Sequence, residues 1–165
     1  MMTLLELALI VATLLSALTA GFVFSFASVV MPGIGNLTDK EFIRAFQAID
    51  GVIQAGHPVF GLVWIGSVFA LVAAAILAVL QNDGLVPTLV VASAVVYTLG
   101  VQLPTFLINV PLNNALQMLN VDDMDELMLA SERRSFEHRW VRWNLIRTAF
   151  ASGVSVSLML VLLWL

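Results

Sequence analysis

Four stretches of this 165-residue chain carry no charged side chain: 7–38, 51–82, 84–121 and 148–165. A bilayer core of about 30 Å takes about 20 helical residues to cross. The first three stretches are each long enough, and the fourth becomes so if its helix begins near Trp143. Spans are therefore expected near 4–30, 58–80, 86–108 and 143–164. Barrel strands alternate apolar and polar residues, whereas these runs are continuous and rich in Ala, Leu and Val. The first run lacks the basic lead of a secretory signal, and its apolar stretch exceeds the usual ~7–15 residues. It reads as a mature helix. The expected fold is all-α: one integral membrane domain over 1–165, a four-helix bundle of two parallel helical hairpins.

Composition removes other classes. Charged residues are 11% of the chain and hydrophobic ones 61%, where a soluble domain carries about 25% charged residues. Neither a soluble globule nor a disordered chain fits. Without cysteine there is no disulfide framework, thiolate metal site or thiol nucleophile. A net charge of −4 offers nothing to nucleic acid.

The charges are also unevenly placed. Eleven fall within 122–147 and five within 39–50. With four spans, both termini and the turn Gln81-Asn82-Asp83-Gly84 share one side, and the loops 31–57 and 109–142 share the other. Lys40, Arg44, Arg133, Arg134, Arg139 and Arg142 lie on the loop side, with Arg147 just inside the last span. The positive-inside rule makes the loops cytoplasmic and the termini external, in a bacterial inner membrane. Asp122, Asp123, Asp125 and Glu126 read as the acidic start of a helix.

Close packing in lipid relies on small residues. Ala17, Gly21, Ser25 and Ser28 form such a stripe on the first span. Ser93, Tyr97, Gly100 and Pro104 form another on the third. Both are expected to face inward, as a packing seam or as a cavity with Tyr97 for a polar handle. The first stripe also suggests homo-oligomerisation. Met31-Pro32-Gly33 and Val110-Pro111-Leu112 read as proline turns, each followed by a charged amphipathic segment in a cytoplasmic loop. In 38–50, Phe42, Ile43, Phe46 and Ile49 share a face expected to lie on the membrane surface, with Asp39 helping to cap its start.

The polar residues able to carry chemistry cluster in two places. One is Asn109, Asn113 and Asn114 at the end of the third span; the other runs from Glu137 to Thr148. At 100° per residue Trp140, Trp143, Asn144 and Arg147 share one face of about 100°. A guanidinium within a span costs about 2.5–3.5 kcal/mol at the bilayer centre, and less near the interface. Arg147 can snorkel to headgroups, with the Trp rings as belt anchors. Alternatively it faces a pocket at the cytoplasmic mouth, taking acceptors from Asn109, Asn113, Asn114, Asp50 or Gln47. His57 and His138 are interfacial residues, a general base, or a pair of axial haem ligands. No metal-ligand spacing is present.

Asn109-Val110-Pro111-Leu112-Asn113-Asn114 followed by Trp140-x-x-Trp143-Asn144-x-x-Arg147-Thr148 resembles the anthrone-oxygenase-like family of small four-helix membrane proteins. Ala20-Gly21-Phe22, Met31-Pro32-Gly33 and Phe46-Gln47-Ala48-Ile49 extend the resemblance over nearly the whole chain. Most of that family is a domain of unknown function. The resemblance implies oxidation of anthrones to anthraquinones by dioxygen with no cofactor. Such a reaction needs a base, a group to hold the enolate oxygen and a surface for a flat ring. His138 or His57 would be the base, Arg147 with Asn144 and the other carboxamides the oxyanion site, and Trp140 and Trp143 the stacking surface. Two other classes compete: a membrane binder of a quinone, lipid or haem, and a structural subunit. A transporter is disfavoured, because no charge lies deep within a span.

Overall fold

The computed structural model describes residues 2–165, and among them there is no strand. Four long helices are each long and apolar enough to cross a membrane: α1 Leu4–Ile34, α3 Pro58–Gln81, α4 Leu85–Gln117 and α5 Glu126–Trp164. A shorter helix, α2 Asp39–Gln54, lies between the first two. The chain is an all-α helical membrane bundle, and its long helices contain the four expected spans.

The helix starts follow local chemistry. The Thr3 hydroxyl accepts from the Glu6 N–H while the Glu6 carboxylate accepts from the Thr3 N–H, closing the first turn of α1. Thr38 and Glu41 build the same box on α2. The cap is therefore Thr38, not Asp39, which is the first helical residue. Asp125 caps α5 by accepting from the Met128 N–H. Gly56 and Gly84 take φ values of 79° and 82° in the two tight connections flanking α3, a region that favours glycine.

The expected proline turns are not turns. α1 runs through Pro32, and α4 runs through Pro104 and Pro111. Each of these prolines stands two residues after a five-residue π-helical turn: Phe26–Val30, Thr98–Gln102 and Thr105–Asn109. A proline inside an α-helix lacks a donor and its ring collides with the carbonyl four residues back. The π turn shifts the bonding pattern, so the Met31, Leu103 and Val110 N–H groups reach five residues back, to Phe26, Thr98 and Thr105. The helix then continues past the ring.

α1 packs along α3 and α5, and α4 packs against the same two helices. The inward face of α1 is Leu5, Leu9, Ala12, Ser16, Ala20 and Val23. The stripe predicted to face inward does not: Gly21 and Ser28 are exposed, and nothing lies within 4 Å of where a Gly21 Cβ would be. Ala12, Ser16 and Ala20 serve the close approach instead. On α4 the expected face is buried, from Ser93 through Tyr97 and Gly100 to Pro104. Ser93 donates to Ser157 of α5 at 3.0 Å, and Tyr97 shares a 2.8 Å hydrogen bond with Ser67 of α3.

A second core lies at the loop end. α5 has 39 residues, about 58 Å at 1.5 Å per residue, or roughly twice a bilayer core. Its first half carries the charged segment and gives α2 a protein surface to pack on. Phe42, Ile43 and Phe46 of α2 are buried with Leu116, Phe136 and Trp140. This apolar face is thus spent on protein rather than on a lipid surface. Arg133 fastens the assembly. Its guanidinium donates to the Gly35 and Leu37 carbonyls, to Asp39 and to Glu137, and lies 4.4 Å from the Phe42 ring centroid. Lys40 and Arg44 both reach Asp122, whose carboxyl is held below its usual range by their hydrogen bonds.

Two outcomes follow for thermal unfolding in detergent. Arg133→Lys cannot reproduce the planar fork and should cost about 1–2 kcal/mol. Gly100→Ala would place a Cβ 2.5 Å from the Phe150 ring. It should cost about 1–3 kcal/mol, and Phe150→Ala in the same chain should restore only part of the loss, because the Phe150 Cβ, 2.9 Å away, remains.

Candidate functional site

The site begins on α5. Trp140, Asn144 and Arg147 follow one another at helical spacing, and all three are buried, Arg147 to 4% exposure. The Arg147 guanidinium does not snorkel. One terminal nitrogen donates to Thr105 Oγ1 at 2.9 Å and the other to Asn144 Oδ1 at 2.9 Å. Its Nε has no hydrogen-bond partner among the described residues. No carboxylate lies within 4 Å of it there, and the group stands 5.8 Å from the Trp140 ring centroid. Asn144 is itself oriented from α1, since its amide donates to the Val23 carbonyl at 2.9 Å.

The second wall comes from the last π turn of α4. Thr105 opens that turn and Asn109 closes it. Thr105 donates its own proton to the Val101 carbonyl, which leaves its oxygen free to accept from Arg147. Asn109 Nδ2 donates to the Trp140 carbonyl at 3.4 Å, and its Oδ1 has no partner among the described residues. Four residues on, Asn113 Oδ1 accepts from the Trp140 indole at 2.7 Å, and its amide donates to Asp50 Oδ1 at 2.7 Å. Asp50, on α2, is 3% exposed. Its Oδ2 accepts from Gln54 at 2.7 Å and from Gln117 at 3.2 Å.

These groups surround a cavity of about 180 Å³. Asp50, Thr105, Asn109, Asn113 and Arg147 supply its polar lining, and Phe22, Phe26, Phe46, Phe60, Trp64 and Trp140 its aromatic walls. The rings brace one another: Phe26 and Phe46 each lie 5.5 Å from Trp140, and Phe60 stacks on Trp64 at 5.4 Å. An apolar groove of about 690 Å³ adjoins the cavity, sharing Phe22, Ile53, Phe60 and Trp64 with it.

The structure brings together Arg147, Asn109, Asn113, Asp50 and Trp140, with Asn144 bonded to Arg147 just behind the lining. The acceptors of Arg147 are Thr105 and Asn144 rather than Asn109, Asn113, Asn114, Asp50 or Gln47. Gln47 bonds to the Leu116 and Leu119 carbonyls, and the exposed Asn114 accepts from Gln54. Trp143 is half-buried and does not line the cavity. Tyr97 sits in the membrane core on Ser67, away from the lining. Neither histidine lines it either. His57 caps α3, accepting from the Phe60 N–H, and borders the groove. His138 stands two residues before Trp140, about 200° around the helix, on a surface with Arg134 and Arg142. The two histidines line separate surfaces and do not converge as an axial pair for haem.

Several cavity residues come from outside the predicted set: Thr105, Phe22, Phe26, Phe46, Phe60 and Trp64. Thr105 carried a signal, being four residues before Asn109 and so on the same helical face. The phenylalanines of α1 and α3 sit in runs where every position is apolar, and nothing local separates a lining ring from a lipid-facing one. Asn144→Leu should cost about 2–4 kcal/mol of stability in detergent unfolding, because it strips the buried Arg147 of an acceptor. Adding Arg147→Met should recover part of that loss by removing the stranded charge.

Comparison with known proteins places these residues in context. A profile described as anthrone oxygenase matches residues 50–157. The match covers about two thirds of the chain and includes every polar residue lining the cavity. α1 and the first part of α2 lie outside it, with the quoted motifs they carry. No curated protein and no solved structure matches the chain. The chain belongs to the anthrone oxygenase family.

Proposed function

We propose that the cavity binds the central, ketone-bearing ring of a flat aromatic carbon acid of the anthrone type and promotes its oxidation by dioxygen without an organic cofactor. The observation that carries this reading is the Arg147 guanidinium: buried beside aromatic walls, with no carboxylate within 4 Å and no partner for Nε among the described residues. Buried charges are ordinarily paired. A group held ready for an anion that forms only during reaction is stabilising where charge develops, and that is the kind of electrostatic preorganisation a carbon acid needs. Loss of one proton turns an anthrone into an electron-rich enolate, which can reduce dioxygen directly. Arg147 holds the enolate oxygen, Asn144 and Thr105 keep the guanidinium aimed, and the rings of Trp140, Phe26 and Phe46 hold the flat body.

Size supports an extended ligand. An engineered apolar cavity of ~150 Å³ takes a single benzene ring, so about 180 Å³ holds little more than one ring and its polar substituent. An outer ring of a polycyclic substrate extends into the adjoining groove, whose shared wall is aromatic and apolar. Its orientation toward the cytoplasm rests on the loop-side basic residues, of which Arg134, Arg139 and Arg142 are exposed.

The test is oxygen uptake by purified protein in detergent with anthrone as substrate, and anthraquinone as product by mass spectrometry. Uptake well above buffer is expected. Arg147→Ala should lose about 10²–10³-fold of it, with Arg147→Lys intermediate because a single ammonium replaces the fork. Wild-type uptake equal to buffer would overturn the oxygenase reading.

A further inference from the structure

Two buried groups of opposite charge line one cavity and do not pair. Asp50 is 3% exposed and Arg147 4%, and neither lies within salt-bridge distance of any oppositely charged residue among those described. Their partners are neutral: three carboxamides for Asp50, a hydroxyl and a carboxamide for Arg147. Separating such a pair sacrifices the attraction that ordinarily offsets burying two charges. The arrangement becomes intelligible when a ligand occupies the space and interacts with both. The three donors do not saturate Asp50. An ionised carboxylate offers about four acceptor sites; Oδ2 takes two donors but Oδ1 takes only Asn113.

We propose that Asp50 is the proton acceptor of this site, so that the cavity selects a neutral acid whose conjugate anion is then held by Arg147. The assignment rests on the oxygenase reading for its substrate class, and it replaces both histidines. The substrate C–H bond breaks, its proton passes to the carboxylate, and the electron pair delocalises onto the ketone oxygen facing Arg147. The enolate gives one electron to dioxygen, and the resulting carbon radical and superoxide combine to a peroxide. That peroxide takes the proton back from the Asp50 carboxyl. Asp50 then removes the second hydrogen of the same carbon as a proton. The O–O bond breaks as the carbonyl forms, and the departing hydroxide takes this proton to leave as water. One dioxygen is consumed, a methylene becomes a carbonyl, and Asp50 ends ionised. A carboxylate far less basic than the carbanion suffices when an oxyanion site faces it.

Proton transfer can be read without dioxygen. Under anaerobic conditions in D₂O, the wild type should exchange the methylene hydrogens of anthrone, followed by mass spectrometry. Asp50→Asn should slow this about 10²–10⁴-fold, while quenching of tryptophan fluorescence by 9,10-anthraquinone persists. Asp50→Glu should retain measurable exchange. Equal exchange by wild type and Asp50→Asn would overturn the assignment and leave the oxygenase reading standing. Wild-type exchange without aerobic oxygen uptake would do the reverse. If Asp50→Asn fails to bind anthraquinone, Asp50→Glu decides. Exchange retained in a binding-competent Asp50→Glu supports Asp50, and its complete loss there overturns the assignment.

Discussion

A helix in hydrocarbon has nowhere to send an unmade backbone hydrogen bond, because no water is present to accept it. Three prolines within long apolar helices therefore impose a constraint that the rest of this structure accommodates. Each is preceded by a π turn that carries the hydrogen bonding past the missing donor. Widening a helix by one residue also rotates everything beyond it, so residues after the turn face a direction that an ideal 3.6-residue period would not give. On α4 two such turns follow in quick succession, and the second runs from Thr105 to Asn109. Its first residue accepts from Arg147 and its last donates to the Trp140 carbonyl. The device that lets α4 tolerate its prolines also sets the wall of the cavity, in keeping with the frequent placement of π turns at functional sites.

The cavity lies where two cores meet. Trp64 belongs to the membrane core, while Phe26, Phe46 and Trp140 belong to the core at the loop end, and Phe22 packs against both. Each core closes on itself through apolar side chains, and the polar groups occupy the seam between them. This location reconciles demands that conflict elsewhere in a membrane protein. At mid-bilayer the Arg147 charge would carry its full insertion cost, which falls toward the interface. Farther out, water would screen the guanidinium and weaken its hold on an anion. The charged half of α5, clamped by Arg133 to the segment 35–39, supplies the second core on that side.

What could be read from the chain divides along local and non-local lines. Long uncharged runs fix the spans, since length and hydropathy are local. The shared face of Trp140, Asn144 and Arg147 is equally local, because one helical period places all three. The reading weakens wherever the answer depends on a neighbour. The α2 segment is amphipathic whether its apolar face meets lipid or protein, and only the length of α5 beyond the membrane decides for protein. Small residues form stripes on both sides of α1, and the partner helices use Ala12, Ser16 and Ala20 rather than Gly21. Proline reads as a break unless the preceding turn can widen, and no residue type in Phe26–Val30 or Thr105–Asn109 announces that it will.

The histidines show how residue type and position can point to different places. Imidazole is the side chain whose ordinary pKa suits a base near neutrality, which makes His57 and His138 the natural candidates in a chain with only two. Position outranks that preference. His138 is two residues from Trp140 and so lies around the far side of the same helix, while His57 is engaged in capping α3. A carboxylate becomes an effective acceptor when the carbanion it creates is stabilised at once, and the stabilising charge need not touch it. In this bundle the carboxylate comes from α2, the guanidinium from α5 and the amides between them from α4. Three helices set the separation of the two charges, and Asn113 fixes it in detail by bonding to both Asp50 and Trp140. The shortage of charge across the spans then has a functional consequence. With few other charges nearby to compensate them, Asp50 and Arg147 each keep their field for whatever occupies the space between.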